Sequence, residues 1–422
     1  MSKAIIKNKN ILILLLLSSA YFFTLFHRYS LAVLAINIID EVPFVQDKLG
    51  LIGSAYFYCY APMLFFSGII VDYFSSRFSL KIGLFLLTVG CLIFSRASSL
   101  TLFLVSRGII GLGSALITIP SIKLIRETFQ EKKFGMVIGI NNTLGYIGVI
   151  MASFPLAFLL SYLSWRTTHL LISIITGLLT IISLILLPHQ RTEIHKEKKA
   201  MMLNKIYTLM KIPRLWMLSF WMLTFTGTKL AFQALWAGPY FVKVYGITYF
   251  PIILLIISVG STAGSLIMGC ISDLSSNRRK ILIYASLFIF SLWFFLYIYP
   301  DKLSTPITIS FYFILGISFA SYLLALMEVR DICKLENTGF VVGIISSIGF
   351  FGSALFTQIG NVFYQSGEGG IDTTGIFQFK NMFLLNFIII LFIFMALILY
   401  EIWLKFRTKG LNKIFNPERL TF

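Results

Sequence analysis

The sequence predicts an all-α, polytopic membrane protein whose twelve transmembrane helices form two pseudo-symmetric bundles of six. Three observations indicate this class: twelve long apolar runs, an excess of basic residues in alternate loops, and a short motif that occurs once in each half of the chain. Hydrophobic residues make up 58% of the chain and charged residues only 12%. Because a soluble fold of that composition would expose large apolar patches, an ordinary soluble domain is excluded.

The apolar runs predict helices rather than barrel strands. A helix needs roughly 20 apolar residues to cross about 30 Å of hydrocarbon, and only helices and closed barrels satisfy their backbone in lipid. The runs lack the alternation of polar and apolar residues that barrel strands show. The predicted spans, numbered 1 to 12 in chain order, are 11–38, 49–71, 80–98, 101–124, 135–162, 167–188, 215–242, 250–271, 280–299, 304–327, 339–364 and 379–404.

The basic residues predict the orientation of these spans. With a cytoplasmic amino terminus, 26 of the 35 Lys and Arg residues fall in the inner segments, 6 in the outer loops and 3 inside spans. This asymmetry follows the positive-inside rule, so both termini are predicted to be cytoplasmic. The net charge of +18 is then explained by topology rather than by a nucleic-acid partner.

A polar interruption divides the chain into halves. Residues 189–214 contain seven Lys or Arg and predict a basic cytoplasmic linker between an N-terminal bundle, 1–188, and a C-terminal bundle, 215–404, with a basic cytoplasmic tail at 405–422. Each half has a Gly at the inner end of its second helix, an Asp four residues later, and then a basic cluster. Repeated halves are typical of secondary transporters. The two copies consist of Gly68, Asp72 and Arg77 in the first half and of Gly269, Asp273, Arg278, Arg279 and Lys280 in the second.

In these motifs the chain resembles the major facilitator superfamily. The signature loop between the family's helices 2 and 3 has the pattern seen at Gly68 and Asp72, although Ser75 stands where a second Gly is usual. Span 4 carries Arg107 and Gly111, which are similar to the family's Arg-x-x-x-Gly signature. The resemblance implies a twelve-helix fold and transport by alternating access. The gating or conformational residues that it implies are Gly68, Asp72, Arg77, Arg107, Gly111, Gly269 and Asp273.

Three longer strings resemble a narrower bacterial branch of the superfamily, which includes phagosomal nutrient transporters of intracellular pathogens. Several members of that branch import amino acids, and the resemblance implies a bacterial inner membrane. The strings are RYSLAVLA at 28–35, SAYFYCYAPM at 54–63 and LWAGPYFVKVYGIT at 235–248.

Three cations lie inside predicted spans, where a charge at the bilayer centre costs at least about 2.5–3.5 kcal/mol. Arg28 and Lys229 lie in spans 1 and 7, which are pseudo-equivalent in the superfamily and line its cavity. We expect the two to face each other across a site for a carboxylate or a phosphate, with Arg28 as a bidentate fork and Lys229 as a movable point charge. The alternative for Arg28 is a structural cation. Arg107, near the outer end of span 4, is predicted to be structural or conformational.

Neutral polar residues complete the predicted site. Gln233 and Trp236 share a helical face with Lys229 at i, i+4 and i+7, and such a stripe would be costly against lipid. For the tyrosines, packing or an interfacial position is an equal alternative. The predicted substrate-binding residues are Arg28, Lys229, Gln233, Trp236, Asn141, Asn142, Tyr56, Tyr60 and Tyr322.

The sequence offers few groups for proton coupling. Glu328, near the inner end of span 10, is one candidate, and a cytoplasmic salt bridge is its alternative role. His27 is the other candidate, with packing or hydrogen bonding as the alternative. Symport, uniport and exchange therefore stay open.

Together these patterns predict a secondary active or facilitative transporter for a small carboxylate-bearing solute, with an amino acid or short peptide as the favoured class. The alternatives are an organophosphate or organic-anion exchanger and a siderophore or drug exporter. A receptor or an enzyme is disfavoured because the sequence has no Walker loop, nucleophile elbow or metal-spaced His and Cys cluster. The predicted partners are a small anionic or zwitterionic solute, the lipid bilayer and, as a candidate, protons. No cofactor, metal or nucleic acid is predicted, and the chain is predicted to be a monomer.

Overall fold

The computed structural model is all-helical over the residues it describes. The twelve membrane-crossing elements are named α1 to α12 in chain order, and the letters a and b mark the pieces of interrupted helices. The described residues are 3–130, 133–188, 211–274, 278–301, 303–333, 335–366 and 376–412. The N-terminal bundle contains α1a Lys3–Tyr29, α1b Leu31–Glu41, α2 Val45–Phe74, α3 Ser76–Ser95, α4 Leu100–Thr128, α5a Phe134–Met151, α5b Phe154–Leu160 and α6 Trp165–Leu186. The C-terminal bundle contains α7a Pro213–Ala231, α7b Ala237–Tyr245, α8 Phe250–Leu274, α9 Arg278–Ile298, α10a Thr305–Ser318, α10b Tyr322–Ile332, α11 Leu335–Ser366 and α12 Ile376–Asn412.

Four of the twelve elements are interrupted. α1 breaks at Ser30, α5 breaks at Ala152 and Ser153, α7 passes through a π-helical turn at Phe232–Trp236, and α10 passes through a 3-10 turn at Phe319–Ser321. Eleven helices among the described residues are long and apolar enough to cross a membrane. The element that is not among them is α7, which the π turn divides. The predicted all-α, twelve-helix fold is confirmed, with breaks of the kind that transporters place beside their binding sites.

Glycines bring helices of one bundle into close contact. A Cβ atom added at Gly111 on α4 would lie 2.3 Å from the carbonyl oxygen of Tyr56 on α2. A Cβ atom added at Gly352 on α11 would lie 2.0 Å from the carbonyl oxygen of Leu223 on α7a. Helix association in lipid depends on such backbone approaches, because burying apolar surface against apolar lipid brings little gain. Gly111, which the sequence assigns to a gate, thus packs α4 against α2 here.

The two bundles meet at the ends of the helices that the charge distribution predicts to be outer. α7b lies so close to α1b that a Cβ atom at Gly238 would be 1.7 Å from the carbonyl oxygen of Ala32. The Asn361 amide of α11 clamps the first turns of α2: Oδ1 accepts from the Gly50 amide at 2.9 Å, and Nδ2 donates to the Asp47 carbonyl at 2.9 Å. These contacts close the predicted outer side.

Near the opposite ends of the helices, several glycines face open space. Cβ atoms added at Gly68, Gly135, Gly269 and Gly343 would meet no heavy atom within 4 Å. They belong to α2, α5a, α8 and α11, two helices from each bundle. These four glycines therefore make no close backbone contact of the kind seen at Gly238, although Phe65 of α2 and Phe340 of α11 still bring their ring centroids within 6.4 Å in this region.

The predicted topology can be tested by labelling single cysteines in intact cells. We expect cysteines at 189–214 and after 405 to be protected from an impermeant reagent, and cysteines at 366–374 to react, because of the positive-inside asymmetry. Most of these positions lie outside the described residues, although α12 continues past the predicted end at 404 to Asn412. Labelling of 189–214 from outside would overturn the predicted orientation.

Candidate functional site

Arg28 lies in the last turn of α1a, just before the break at Ser30, and is 7% exposed. Its guanidinium packs against a pair of aromatic rings, with Cζ 4.6 Å from the Tyr60 ring centroid and 4.7 Å from the Phe350 centroid. The two rings contact each other edge to face, with centroids 4.7 Å apart. Tyr60 belongs to the N-terminal bundle and Phe350 to the C-terminal bundle. The cation of α1a thus sits where the two halves of the protein meet.

The two rings leave one edge of the Arg28 guanidinium without a partner. Nε and Nη2 are buried and make no hydrogen bond to the protein, and these two N–H groups form the side-on fork that fits two oxygens of a carboxylate or phosphate. A cation–π contact contributes about 0.5–2 kcal/mol, whereas burying an ion costs several kcal/mol. The rings therefore offset only part of the burial cost, and the fork is free to bind an anion.

Lys229 is the second cation of the site and is 6% exposed. Its Nζ donates to the carbonyl of Phe319 at 2.8 Å and lies 4.8 Å from the ring centroid of Tyr322. Phe319 is available as an acceptor because the 3-10 turn of α10 interrupts the regular helical hydrogen bonds. One ammonium N–H is thus bound to backbone, and an ammonium has three.

The contact between α1b and α7b fixes the relative depth of the two cations. Both helices run in the same direction, and Gly238 lies opposite Ala32. Counting back along each helix at about 1.5 Å per residue, Gln233 lies at the depth of Arg28 to within about 2 Å. Lys229 lies about 7 Å further toward the predicted inner side. The backbones of Arg28 and Lys229 therefore lie in the same central region, at two different depths in the membrane.

Two members of the predicted Lys229 stripe behave differently from each other. Gln233 is buried, and neither its Oε1 nor its Nε2 has a hydrogen-bond partner. Trp236 instead donates from Nε1 to the carbonyl of Thr357 at 3.1 Å, and its ring covers Gly360 on α11. The π turn changes the angular spacing on which the predicted stripe depended. A substrate role for Trp236 stays a prediction, and its observed contacts are with α11.

The two asparagines of α5a that were predicted to bind substrate lie in different surroundings. Asn141 is buried and accepts a hydrogen bond from Ser18 of α1a at 3.2 Å, whereas Asn142 is exposed. One turn further along, the hydroxyl of Tyr146 is 2.9 Å from that of Tyr322, which joins α5a to α10b across the two bundles. Tyr146 was missed by the sequence analysis, although its position four residues after Asn142 places it on the same helical face.

Arg107 and His27 belong to a polar cluster inside the N-terminal bundle. Arg107 donates from Nη1 to the carbonyl of His27 at 3.0 Å and lies 5.0 Å from the Tyr56 ring centroid. The His27 Nε2 is 3.1 Å from the Cys91 sulfur, and its ring lies 6.0 Å from that of His169. These contacts join α1, α2, α3, α4 and α6. The contact with Tyr56 is to its ring, and the Tyr56 hydroxyl and Arg107 Nε are buried without a partner. The structural role of Arg107 and the substrate role of Tyr56 stay predictions.

Glu328 forms an ion pair with Arg214, whose Nε donates to Oε1 at 2.8 Å. The pair joins the inner end of α10b to the start of α7a. It is the salt bridge that the sequence analysis gave as the alternative to proton coupling, and its cation is Arg214. Of the carboxylates whose side chains the structure describes, Glu328 is the only one that is buried.

The chain turns sharply between α2 and α3, at the predicted gate, although Ser75 stands there in place of the usual Gly. Ser75, which stands where the superfamily usually has Gly, has a φ of 89°, and its hydroxyl accepts from the Phe78 amide at 3.3 Å. This positive φ lies in the region that favours glycine. The side chains of Asp72 and Asp273 lie outside the described part of the structure, so their gating role stays a prediction.

Two six-helix bundles that meet around a buried, cationic centre define a membrane transport protein. The chain belongs to the Major Facilitator Superfamily, whose family model matches residues 17–357. The structure is also similar to a bacterial homologue of the human lysosomal transporter Spinster in an inward-facing, unoccupied conformation, with a TM-score of 0.73, 16% identity, and coverage of 94% of this chain and 98% of that one. It is similar to the nucleoside transporter NupG, with a TM-score of 0.74, 15% identity, and coverage of 92% and 99%. At these identities the likeness shows the fold alone.

Two curated relatives share sequence with part of the chain. A probable hexose phosphate transport protein of Chlamydia pneumoniae is 26% identical over 146 residues, which cover 35% of this chain and 32% of the relative. The nitrate/nitrite transporter NrtP of Nostoc punctiforme is 27% identical over 172 residues, which cover 39% of this chain and 34% of the relative. The matches thus span about a third of the length of these relatives.

Proposed function

We propose that this transporter carries a small organic oxyanion, bound between the bundles by the Arg28 fork and the Lys229 ammonium. The observation that carries the proposal is the pair of buried, unpartnered N–H groups on Arg28, whose guanidinium packs against one ring from each bundle. A hydrogen bond to a charged group contributes about 1.5–3 kcal/mol. Two such bonds to one oxyanion are of the size needed to offset the remaining cost of burying the guanidinium.

The charge of the site favours a net anion over a zwitterion. Arg28 and Lys229 are both cationic, and the buried carboxylate of Glu328 is already paired with Arg214. The ammonium group of an amino acid would be repelled by the same cations that attract its carboxylate. The amino-acid class favoured by the sequence resemblance therefore stays a prediction, and a phosphate ester or a carboxylate without an ammonium group is the better electrostatic match.

The organophosphate alternative has separate support. The relatives named above are described as transporting hexose phosphate and nitrate or nitrite, which are oxyanions. The backbones of Arg28 and Lys229 lie at depths about 7 Å apart, and a solute with an oxyanion at one end and a second oxygen-rich group at the other would suit two cations placed in this way. A phosphate ester is therefore the second candidate class beside the carboxylates.

The closed outer side suggests how binding would be coupled to movement. Arg28 touches Tyr60 of one bundle and Phe350 of the other, and Tyr146 and Tyr322 join the bundles at a neighbouring point. An anion held by Arg28 and Lys229 would connect the halves through its own contacts and favour their closure. We place the protein in a bacterial inner membrane with cytoplasmic termini, and Glu328 and His27 stay the candidates for proton coupling.

Uptake into vesicles that contain the purified protein tests this function. We expect accumulation of labelled lactate or glycerol 3-phosphate, and little accumulation of alanine, because alanine keeps an ammonium group. The measurement is repeated with and without an imposed pH gradient, which separates proton coupling from exchange or uniport. Uptake of alanine alone, unchanged in an Arg28→Lys variant, would contradict the proposal.

A further inference from the structure

The side chain of Gln233 is the most unusual polar group of the central region. It is 3% exposed, and neither its amide oxygen nor its amide nitrogen has a hydrogen-bond partner. Buried amides in folded proteins are almost always hydrogen-bonded, because desolvation without a partner is costly. An amide that breaks this rule, on the helix facing α1 and at the depth of the unpartnered Arg28 guanidinium, has the features of a ligand-binding group.

The backbone around Gln233 supports the same reading. The residue lies inside the π turn Phe232–Trp236, and single π turns inside α-helices are frequent at functional sites because they redirect side chains at a cost in helix regularity. The packing of Gly238 on Ala32 brings Gln233 to the depth of Arg28 on the facing helix. At the same break in α1, the buried Ser30 hydroxyl also lacks a partner.

We infer that Gln233 is a specificity-determining residue that binds a hydroxyl group next to the oxyanion of the solute. This inference rests on the proposed function, since it assumes that Arg28 holds the oxyanion. A hydroxyl donates one hydrogen bond and accepts others, and a primary amide can meet both needs with its oxygen and nitrogen. The substrate class is thereby narrowed to hydroxylated organic anions, such as hydroxy acids or sugar phosphates.

The energetic consequence is a difference in affinity between matched ligands. An anion that lacks the hydroxyl would leave the Gln233 amide buried and unpartnered in the complex, and sites built to bind a hydroxyl discriminate strongly against the analogue without it. We expect the hydroxylated member of a matched pair to bind at least about tenfold more tightly, which corresponds to one hydrogen bond.

The test compares two matched pairs of probes on the purified full-length protein: lactate with propionate, and glycerol 3-phosphate with propyl phosphate. Affinities are measured by calorimetry for the wild type and for Gln233→Met, which keeps the length of the side chain but removes the amide oxygen and nitrogen. We expect the variant to bind both members of a pair equally, at the affinity of the weaker wild-type ligand. Gln233→Leu is the second variant if Gln233→Met is not recovered folded.

Two controls separate this inference from the proposed function. Gln358→Leu removes an amide that accepts a hydrogen bond from Tyr58 at 2.9 Å. This variant should leave the ratio of the two affinities within each pair of ligands unchanged. Arg28→Lys should weaken both members of a pair by the same factor. Ligand-free Gln233→Met should unfold at the same temperature as the wild type or a higher one, because it removes an unpartnered buried amide.

The outcomes can be told apart. If the anions bind in an Arg28-dependent way and Gln233→Met keeps the wild-type ratio of affinities, Gln233 does not bind the hydroxyl. Only the proposed function then stands. If the wild type does not distinguish the members of either pair, the inference is likewise wrong. If neither pair binds at all, the proposed function fails and this inference fails with it.

Discussion

Replacing Arg28 by Lys should weaken binding of the oxyanion by about tenfold or more while the protein stays folded. The substitution keeps the positive charge but loses the planar fork formed by Nε and Nη2. Losing one charge-assisted hydrogen bond costs about 1.5–3 kcal/mol, and 1.4 kcal/mol is a factor of ten in affinity. The contacts with the rings of Tyr60 and Phe350 are weakened too, because an ammonium lacks the planar guanidinium surface.

The Arg28 experiment compares a bound carboxylate with its neutral amide. In the wild type the acid should bind far better than the amide, and Arg28→Lys should reduce that advantage. Lys229→Ala should reduce it further, because the whole charge is lost, while Lys229→Arg should be milder. The matched control is Arg107→Lys, since Arg107 donates to the His27 carbonyl inside one bundle. Equal losses for acid and amide in the Arg28 variant would mean that the cation supports the fold rather than the solute.

Replacing Gly238 by Ala should abolish transport without abolishing binding. A Cβ atom there would lie 1.7 Å from the carbonyl oxygen of Ala32, far inside contact distance and against backbone that no rotamer change can move. The two bundles must then separate at this point, so the closed outer state seen here becomes inaccessible. A carrier that cannot close on one side cannot complete its cycle, and turnover should fall to background.

The matched control is Gly177→Ala on α6. A Cβ atom at Gly177 would have its nearest neighbour, the Thr88 methyl group, at 3.4 Å, an ordinary contact within one bundle. This variant should transport normally. Thr357→Cys is introduced both into Gly238→Ala and into the protein that keeps Gly238. The cysteine should react faster with an impermeant reagent in the Gly238→Ala protein, because the outer contacts around Asn361 loosen. Normal turnover in Gly238→Ala would show that transport does not require this contact.

Much of the architecture follows from sequence because hydrophobic length and charge act locally. The apolar runs must cross the bilayer as helices, and the predicted spans correspond to α1 to α12. The intramembrane cations could be found in the same way, because a charge in hydrocarbon is conspicuous in any window of sequence. The family resemblance at Gly68, Asp72 and Arg107 agrees with the match of the family model over residues 17–357.

The candidate site was predicted only in part, because its contacts join residues far apart in the chain. Nothing near Arg28 in sequence indicates that the ring of Phe350 would contact its guanidinium, or that Tyr146 would meet Tyr322. The breaks in α1, α5, α7 and α10 were likewise not predicted. The break in α7 matters because its π turn, Phe232–Trp236, changes the angle between the Gln233 and Trp236 side chains around the helix. A helical face predicted from regular α-helical spacing does not allow for a π turn.

The sequence by itself thus determined the class of this protein, its twelve helices and the identity of its buried cations, because these depend on residue type and spacing alone. The tertiary structure decided which polar atoms have partners. Arg107, Asn141 and Glu328 each have at least one hydrogen-bond partner, although Arg107 Nε and Glu328 Oε2 have none. Neither fork atom of Arg28 and neither amide atom of Gln233 has a partner. The physical reason is that hydrogen bonding is short-ranged and directional, so whether a buried group is satisfied depends on how the two bundles pack.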